Sequence, residues 1–329
     1  MALSSPLKAP FDILLKAQHA FRSDDFQAAL ALVDQYYKQV SYDDIPRVDQ
    51  RRCDHEPAVS YIVVTTTPGS SLDDCLQSLK QSDELCEVIV VVNAADSIDR
   101  VTAQMPESLC VKIGCNILPS EARNIGAHFA RGKYLAFIDD DAIVGRNHAH
   151  FICEAFSQYS FAGVRGKIVP KSGKSGEAFI GHYDKGEFPL PSPLDTEGNA
   201  ALPADVFNAV GGFDPLIFGG EGPDLSYRIL ERFPEKLIYY WPNLSIKHDY
   251  ATGGKILAKR ERQLRTLRYQ KFRGSRAPRY ERNLAKWLAR YPGVDVKLDQ
   301  RALRQRLWAR ITDIGYRVRI SFKRFYGRG

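Results

Sequence analysis

The sequence predicts an α/β protein: a mainly parallel central sheet covered on both faces, with helical extensions at both ends. Three observations predict this. Four β-rich runs, VSYIVVTTT (59–67), EVIVVVN (87–93), LCVKI (109–113) and YLAFI (134–138), are apolar without alternation, as strands buried on both faces are. Helical periodicity fills the gap after the first run and the gap before the fourth, the strand–helix alternation of α/β chains. The chain has 329 residues, 44% of them hydrophobic and 26% charged, which suffices for one large core with appendages and excludes a disordered chain.

Taken in order, residues 1–57 read as a helical hairpin. Ala17, Phe21, Phe26, Ala29 and Leu30, in the run AFRSDDFQAAL, resemble a single tetratricopeptide-type unit. A lone unit has no neighbour on which to stack, so a hairpin docked on the main domain is expected, followed by a loop with Pro46 and Pro57. The main domain is read over 58–252. After its first strand, Ser70 or Ser71 can cap a helix whose Leu72, Cys75, Leu76 and Leu79 share one face. A helix opening near Ser120 carries Ala122, Ile125 and Phe129 on one face. GVRGKIV (163–169) reads as a strand, 171–200 as a Gly- and Pro-rich loop, and 204–210 as a helix. LIYYW (237–241) and LSIKH (244–248) read as strands split at Pro242, and 253–329 as a basic helical extension.

Charge is unevenly spread. Residues 255–329 hold 23 of the 46 Lys and Arg but 5 of the 39 Asp and Glu, a net +18 that leaves −11 on residues 1–254. No apolar run is long enough to cross a bilayer, and the N-terminus lacks a secretory signal pattern. The six cysteines form no CxxC pair and no zinc spacing, so they are expected to be reduced, in a cytoplasmic protein.

Ligands of open α/β sheets bind beyond the carboxyl ends of the strands. There FIDDDA places Asp139, Asp140 and Asp141 directly after a buried strand. Three adjacent acids repel one another, so they need solvent or a compensating cation. Hard ions such as Mg²⁺ or Mn²⁺ bind through one or two carboxylates plus substrate phosphates. Further along, Glu221 follows Gly219-Gly220 on a lip, where a structural reason for the acid is lacking. Asp224, by contrast, sits in the first turn of a helix opened by Pro223, beside the positive end of its dipole. Arg123 could simply pair with Glu121, and His248 is a strand-end histidine. The absence of GxGxxG and GxxxxGK[ST] argues against dinucleotide oxidoreductases and P-loop kinases.

Four segments together resemble glycosyltransferase family 2, whose GT-A-fold enzymes move a sugar from a nucleotide diphosphate to an acceptor. They are VSYIVVTTT, PSEARNIGAHFARGKYLAFIDDD (119–141), GNAALPADVFNAVGGFDP (198–215), and FGGEGPDLSYRI (218–229) followed by IKHDY (246–250). The resemblance implies that Asp139 and Asp141 end a DxD motif, with Asp141 chelating a divalent metal (Mn²⁺ or Mg²⁺) and Asp140 at the middle position. Asp139 would sit against the nucleoside or order the site, Arg123 would lie beside the nucleotide, and His248 would stand close to the metal. The segment GGEGPDLS carries Gly222 where relatives usually have an aspartate proposed as the base. That role then falls to Glu221, with Asp224 as the alternative. VVNAADS leaves Asn93 and Asp96, and Thr65 and Thr66 end the first strand, where relatives contact the nucleobase.

The activity so implied is inverting transfer from a nucleotide-diphosphate sugar, a UDP-sugar by preference, to a hydroxyl of a glycan or lipid-linked acceptor in polysaccharide synthesis. Two alternatives stand beside it. The change at Gly222 suits a degenerate nucleotide-sugar-binding scaffold. The basic tail suits a nucleic-acid binder, although no zinc-finger, RNP or KH pattern accompanies it and no nucleic acid is expected. In that tail, Leu284, Trp287, Leu288 and Tyr291, then Leu303, Leu307, Ile311, Ile314, Val318, Phe322 and Phe325, follow helical spacing, with arginines largely off the stripe. The face either lies on an anionic membrane surface or packs on the catalytic domain.

Overall fold

The computed structural model describes residues 5–52, 56–81, 86–94, 97–171, 182–249 and 254–275. The elements run α1 (Ser5–Arg22), α2 (Phe26–Gln39), β1 (Arg47–Asp49), β2 (Val59–Thr65), α3 (Ser70–Lys80), β3 (Cys86–Asn93), α4 (Asp99–Gln104) and β4 (Leu109–Ile113). They continue with α5 (Leu118–His128), β5 (Tyr134–Asp139), β6 (Ile143–Val144), α6 (His148–Gln158), β7 (Gly163–Val169), β8 (Leu190–Pro191), β9 (Asn199–Pro203), α7 (Ala204–Ala209), α8 (Glu221–Arg232), β10 (Ile238–Lys247) and α9 (Gly254–Phe272). One sheet is ordered β1-β4-β3-β2-β5-β9-β7-β10-β6, with β8 beside β10. The β4-β3-β2-β5 half is parallel, β9 runs antiparallel between β5 and β7, and β10 is parallel to β7.

The apolar runs become strands because both faces are covered. Val59, Tyr61 and Val63 of β2 face Leu72, Cys75, Leu76 and Leu79 of α3, while Ile89 and Val91 of β3 pack with Ala122 and Ile125 of α5. At about 1.5–3 kcal/mol for each fully buried aliphatic side chain, these rows fix the strand register. Helix α5 lies so close to β2 that a Cβ on Gly126 would fall 2.6 Å from Ile62 Cγ2. Register pairs Val64 with Asp139 and Thr65 with Val92, so the ends of β2, β3 and β5 share one edge of the sheet.

The N-terminal hairpin packs on this body at two places. Asp25 opens α2 by accepting from the Ala28 N–H at 3.1 Å. Ala17, Phe21, Phe26, Ala29 and Val33 join Leu216, Ile217 and Tyr269 in one cluster, and Phe11, Leu14 and Tyr36 join the β3–β4–α5 cluster. The segment after the hairpin, expected to be loop, contributes β1 instead, antiparallel to β4 through Val48↔Cys110. The split at Pro242 resolves into a single strand, β10, whose register against β7 shifts between Trp241 and Ser245. Proline cannot donate to the ladder there. Two helices not expected from the sequence also form: α4, a single short one, and α6, which buries Ala149, Ile152 and Ala155 against the sheet. The apolar positions expected in the basic tail, Leu284 to Phe325, lie outside the described residues. Among the described residues no helix is long and apolar enough to cross a membrane.

Candidate active site

The carboxyl end of β5 delivers Asp139 and turns through Asp140 and Asp141, closed by the Ala142 N–H donating to the Asp139 carbonyl at 3.0 Å. Three elements converge on this turn. Arg123 Nη2, from α5, donates to Asp139 Oδ1 at 3.0 Å. His248, just beyond β10, is held by its own N–H on the Val169 carbonyl at 2.9 Å. It lays Nε2 2.9 Å from Asp141 Oδ1 and 3.8 Å from Asp139 Oδ2. Gly198, leading into β9, packs flat on Asp139, where a Cβ would fall 2.0 Å from Oδ2.

Electrostatics follow from that crowding. Burial pushes the Asp140 carboxyl up, Thr65 offsets part of this, and Asp141 and Asp139 add like charge. For Asp141 burial acts upward too, but the hydrogen bond and charge of His248 outweigh it and hold the carboxyl below its ordinary range. Burial acts against the His248 imidazolium, yet Asp141 and Asp139 keep it above the ordinary histidine value. Its Nδ1 is buried and has no hydrogen-bond partner.

Among the described residues, no group of three His, Cys, Asp or Glu side chains is gathered as a ready metal cage. Two donors do fit a hard cation. The 2.9 Å between Asp141 Oδ1 and His248 Nε2 matches the roughly 3 Å separating adjacent ligands around an octahedral ion with about 2.1 Å bonds. The remaining positions would come from substrate oxygens and water, with Asp139 to one side.

The opposite rim is formed by the start of α8. Glu221, 7% exposed, turns back so that Oε2 accepts from the Gly219 N–H at 2.8 Å. Both Gly219 and Gly220 adopt left-handed backbone, with φ of 107° and 105°, which glycine tolerates. Asp224 is engaged elsewhere: Arg228 Nε donates to it at 2.9 Å and Gln270 Nε2 at 3.1 Å. A carboxylate that the sequence reading did not single out, Glu197, lies between these two rims, and its Oε1 accepts from the Gly222 N–H at 2.5 Å. Lys259 of α9 is near enough to Glu197 and Glu221 to feel both charges. Neither residue had a sequence signal beyond its neighbours: Glu197 adjoins Gly198 in an aperiodic loop, and Lys259 is one of many basic residues.

The other singled-out residues sit as follows. Thr65 is buried at the end of β2, beside Asp140, and Thr66 is exposed next to it. Asn93 is at the end of β3, but its Oδ1 accepts from the Ile117 N–H at 3.1 Å, so its amide is partly spent on the loop before α5. Asp96 lies outside the described residues. Glu121 does not pair with Arg123. It is fully buried and accepts from the hydroxyls of Tyr36, Tyr37 and Tyr42 at 2.7, 3.0 and 2.6 Å and from Asn124 Nδ2 at 2.9 Å.

Residues 60–214 match the family model described as Glycosyl transferase family 2. Among solved structures, the chain is similar to "Crystal structure of GalNAc-T7 with UDP, GalNAc and Mn2+", at 17% identity and a TM-score of 0.50 over 66% of this chain. It spans 49%, about half, of that protein. A fainter likeness, to S. aureus TarS 1-349, has 14% identity and a TM-score of 0.44 over 56% of this chain and 60% of that one. No curated protein matches. The first of these likenesses is one of fold, a GT-A-like mixed sheet with helical additions at its ends.

Proposed function

The chain carries a glycosyl transferase family 2 domain over residues 60–214, and on that premise we propose that it moves a sugar from a nucleotide-diphosphate sugar to a hydroxyl acceptor with inversion. The observation that carries the reading is the convergence of Asp139, Asp141, His248 and Arg123 at one strand edge, linked to the start of α8 and Glu221 by the 197–198 loop, which touches both Asp139 and Gly222. Mn²⁺ and UDP are named for GalNAc-T7, a structure of similar fold, and a UDP-sugar with Mn²⁺ or Mg²⁺ is the pairing proposed here.

Asp141 and His248 would hold the cation, with Asp139 supporting. When bound, it supplies positive charge against the diphosphate leaving group. Arg123 orients Asp139, and its guanidinium, 5.8 Å over the Phe213 ring, would meet a nucleotide phosphate or base. Thr65, Thr66 and Asp140 border the nucleoside side of the edge. An acceptor hydroxyl is a poor nucleophile near neutral pH, so a carboxylate must take its proton as it attacks, an effect worth about 10²–10⁴ in rate. That task belongs to the acidic rim at the start of α8, where Glu221 stands. The acceptor is proposed to be a glycan or a lipid-linked one.

The test is a panel of nucleotide sugars screened with Mn²⁺ for thermal stabilisation and for release of the nucleoside diphosphate. Asp141→Ala is expected to weaken donor binding and turnover together, and Glu221→Gln to lower turnover while sparing donor affinity. An Asp141→Ala protein that binds donor as the parent does would refute the reading.

A further inference from the structure

The structure assigns a second working carboxylate to the acceptor side: we propose that Glu197, held on the Gly222 amide, takes the acceptor proton together with Glu221 as one unit. This rests on the glycosyltransferase reading above and names a residue for its proton-transfer step.

The argument begins with a backbone that leaves no room. A Cβ at position 222 would fall 1.5 Å from the Leu194 carbonyl oxygen and 2.8 Å from Glu197 Oε1. The first turn of α8 therefore cannot carry a side chain there: the Leu194 backbone fills the space, and beside it the Glu197 carboxylate accepts from the Gly222 N–H at 2.5 Å. The loop that presents Glu197 is clamped on both sides. The Leu194 N–H donates to Ser226 Oγ at 2.9 Å, and Ser226 Oγ donates to the Gly222 carbonyl at 2.6 Å. After Glu197, Gly198 lies against the Asp139 carboxylate, and Asn199 Nδ2 bonds the carbonyls of Lys167 and Leu244 at 3.0 and 2.9 Å. Glu197 thus bonds the start of α8 and directly precedes Gly198, the residue that lies against Asp139.

Its surroundings suit a proton acceptor. Burial and then the Glu221 charge lift the Glu197 carboxyl above the usual range, with Arg123 and the Gly222 amide opposing. The two carboxylates meet at one helix start, Glu221 on the Gly219 N–H and Glu197 on the Gly222 N–H. In the step proposed, the acceptor oxygen forms a bond to the anomeric carbon as the bond from that carbon to the diphosphate oxygen breaks. The electron pair of that bond leaves with the nucleoside diphosphate, and the acceptor proton passes to the Glu197–Glu221 pair.

Initial rates of UDP release from UDP-sugars with Mn²⁺, with water or sugar acceptors, are compared for the parent, Glu197→Gln, Glu221→Gln and the double variant, alongside UDP affinity. Glutamine keeps an acceptor for the Gly222 N–H, so the loop should stay in place. Expected is a fall in kcat of about 10² or more for Glu197→Gln, with UDP affinity within about 3-fold and a double variant no slower than the worse single one. Formate should restore part of the rate of Glu197→Gly, which a merely structural carboxylate would not permit. Glu197→Gln with near-parental kcat, or losses that multiply in the double variant, would overturn the assignment while leaving the transferase reading intact. A parent protein that binds no UDP and releases none from any donor overturns both.

Discussion

Gly198→Ala isolates the ordering of the acidic edge from the stability of the fold. The added methyl carbon would sit 2.0, 2.5 and 2.1 Å from the two oxygens and the carbon of the Asp139 carboxyl group. Normal contact needs about 3.5 Å, so the carboxylate must move by more than about 1 Å. It can do so, because the Asp139 side chain is 37% exposed and Gly198 is not among the residues with left-handed backbone. The fold should therefore lose little: an overpacking cost at the low end of about 1–3 kcal/mol, including the effect on the Arg123–Asp139 pair, in which Arg123 is buried and Asp139 is partly exposed. The site should lose more, since a displacement of about 1 Å at a reacting centre can cost about 10²-fold. Urea unfolding should give a nearly parental midpoint. Stabilisation by Mn²⁺ and UDP together should correspond to at least tenfold weaker binding, about 1.4 kcal/mol less at a fixed saturating ligand concentration. Gly69→Ala is the control, since its Cβ would meet only the Thr67 carbonyl oxygen, at 3.7 Å. If Gly198→Ala responded to Mn²⁺ and UDP as the parent does, Asp139 would not belong to the binding edge, and the convergence argued above would fail at its centre.

Two further outcomes follow from buried contacts. Gly222→Ala places a methyl against the Leu194 carbonyl, a backbone atom that cannot swing aside, and should cost about 1–3 kcal/mol or more of stability with or without ligand, read by denaturant midpoint. Glu121 is raised in the folded state by burial, against the hydrogen bonds of Tyr42, Asn124, Tyr36 and Tyr37. The sign follows from linkage: its contribution is fully present below the ordinary carboxylate pKa, is lost as pH climbs from there to the raised folded value, and is constant beyond. Glu121→Gln should remove that slope from the stability–pH curve measured by urea unfolding, and an unchanged slope would show that Glu121 does not titrate as its burial requires.

The parts of the site that could be read in the sequence are those carried by regular elements. A strand buried on both faces shows as an unbroken apolar run, so its end, and hence Asp139 to Asp141, could be placed; Arg123 and His248 came only from the resemblance to glycosyltransferase family 2. What could not be read depends on partners far along the chain. Asn93 looks like an open polar group until the Ile117 N–H engages it, and Asp224, legible as a helix-start acid, is also held by Arg228 and Gln270. Glu221 looked free of structural duty, yet it accepts from the Gly219 N–H within its own turn. Glu197 gave no signal because its loop has no period, and only the closeness of Gly222 to Leu194 reveals why the acid comes from there. Strand β1 was hidden by its three-residue length, since it forms only because β4 offers a free edge.

The hairpin belongs to the same physical argument as the site. Three tyrosines, Tyr36 and Tyr37 of α2 and Tyr42 of the turn after it, close on one buried carboxylate, Glu121, two positions from Arg123 on the same helix. Eight successive residues of α5, Ser120 to Ala127, are buried, so this helix cannot rotate without breaking either the tyrosine cluster or the packing on β2. Arg123 is thereby aimed at Asp139 by contacts made over 80 residues earlier in the chain. On the far rim, Thr266 Oγ1 of α9 donates to the Gly219 carbonyl at 2.9 Å, and Tyr269 of the same helix packs on Phe21 and Phe26. Among the described residues, the N-terminal hairpin and α9 meet each other, and each supports one rim of the acidic edge. Both are thus part of the outer support of the acidic edge.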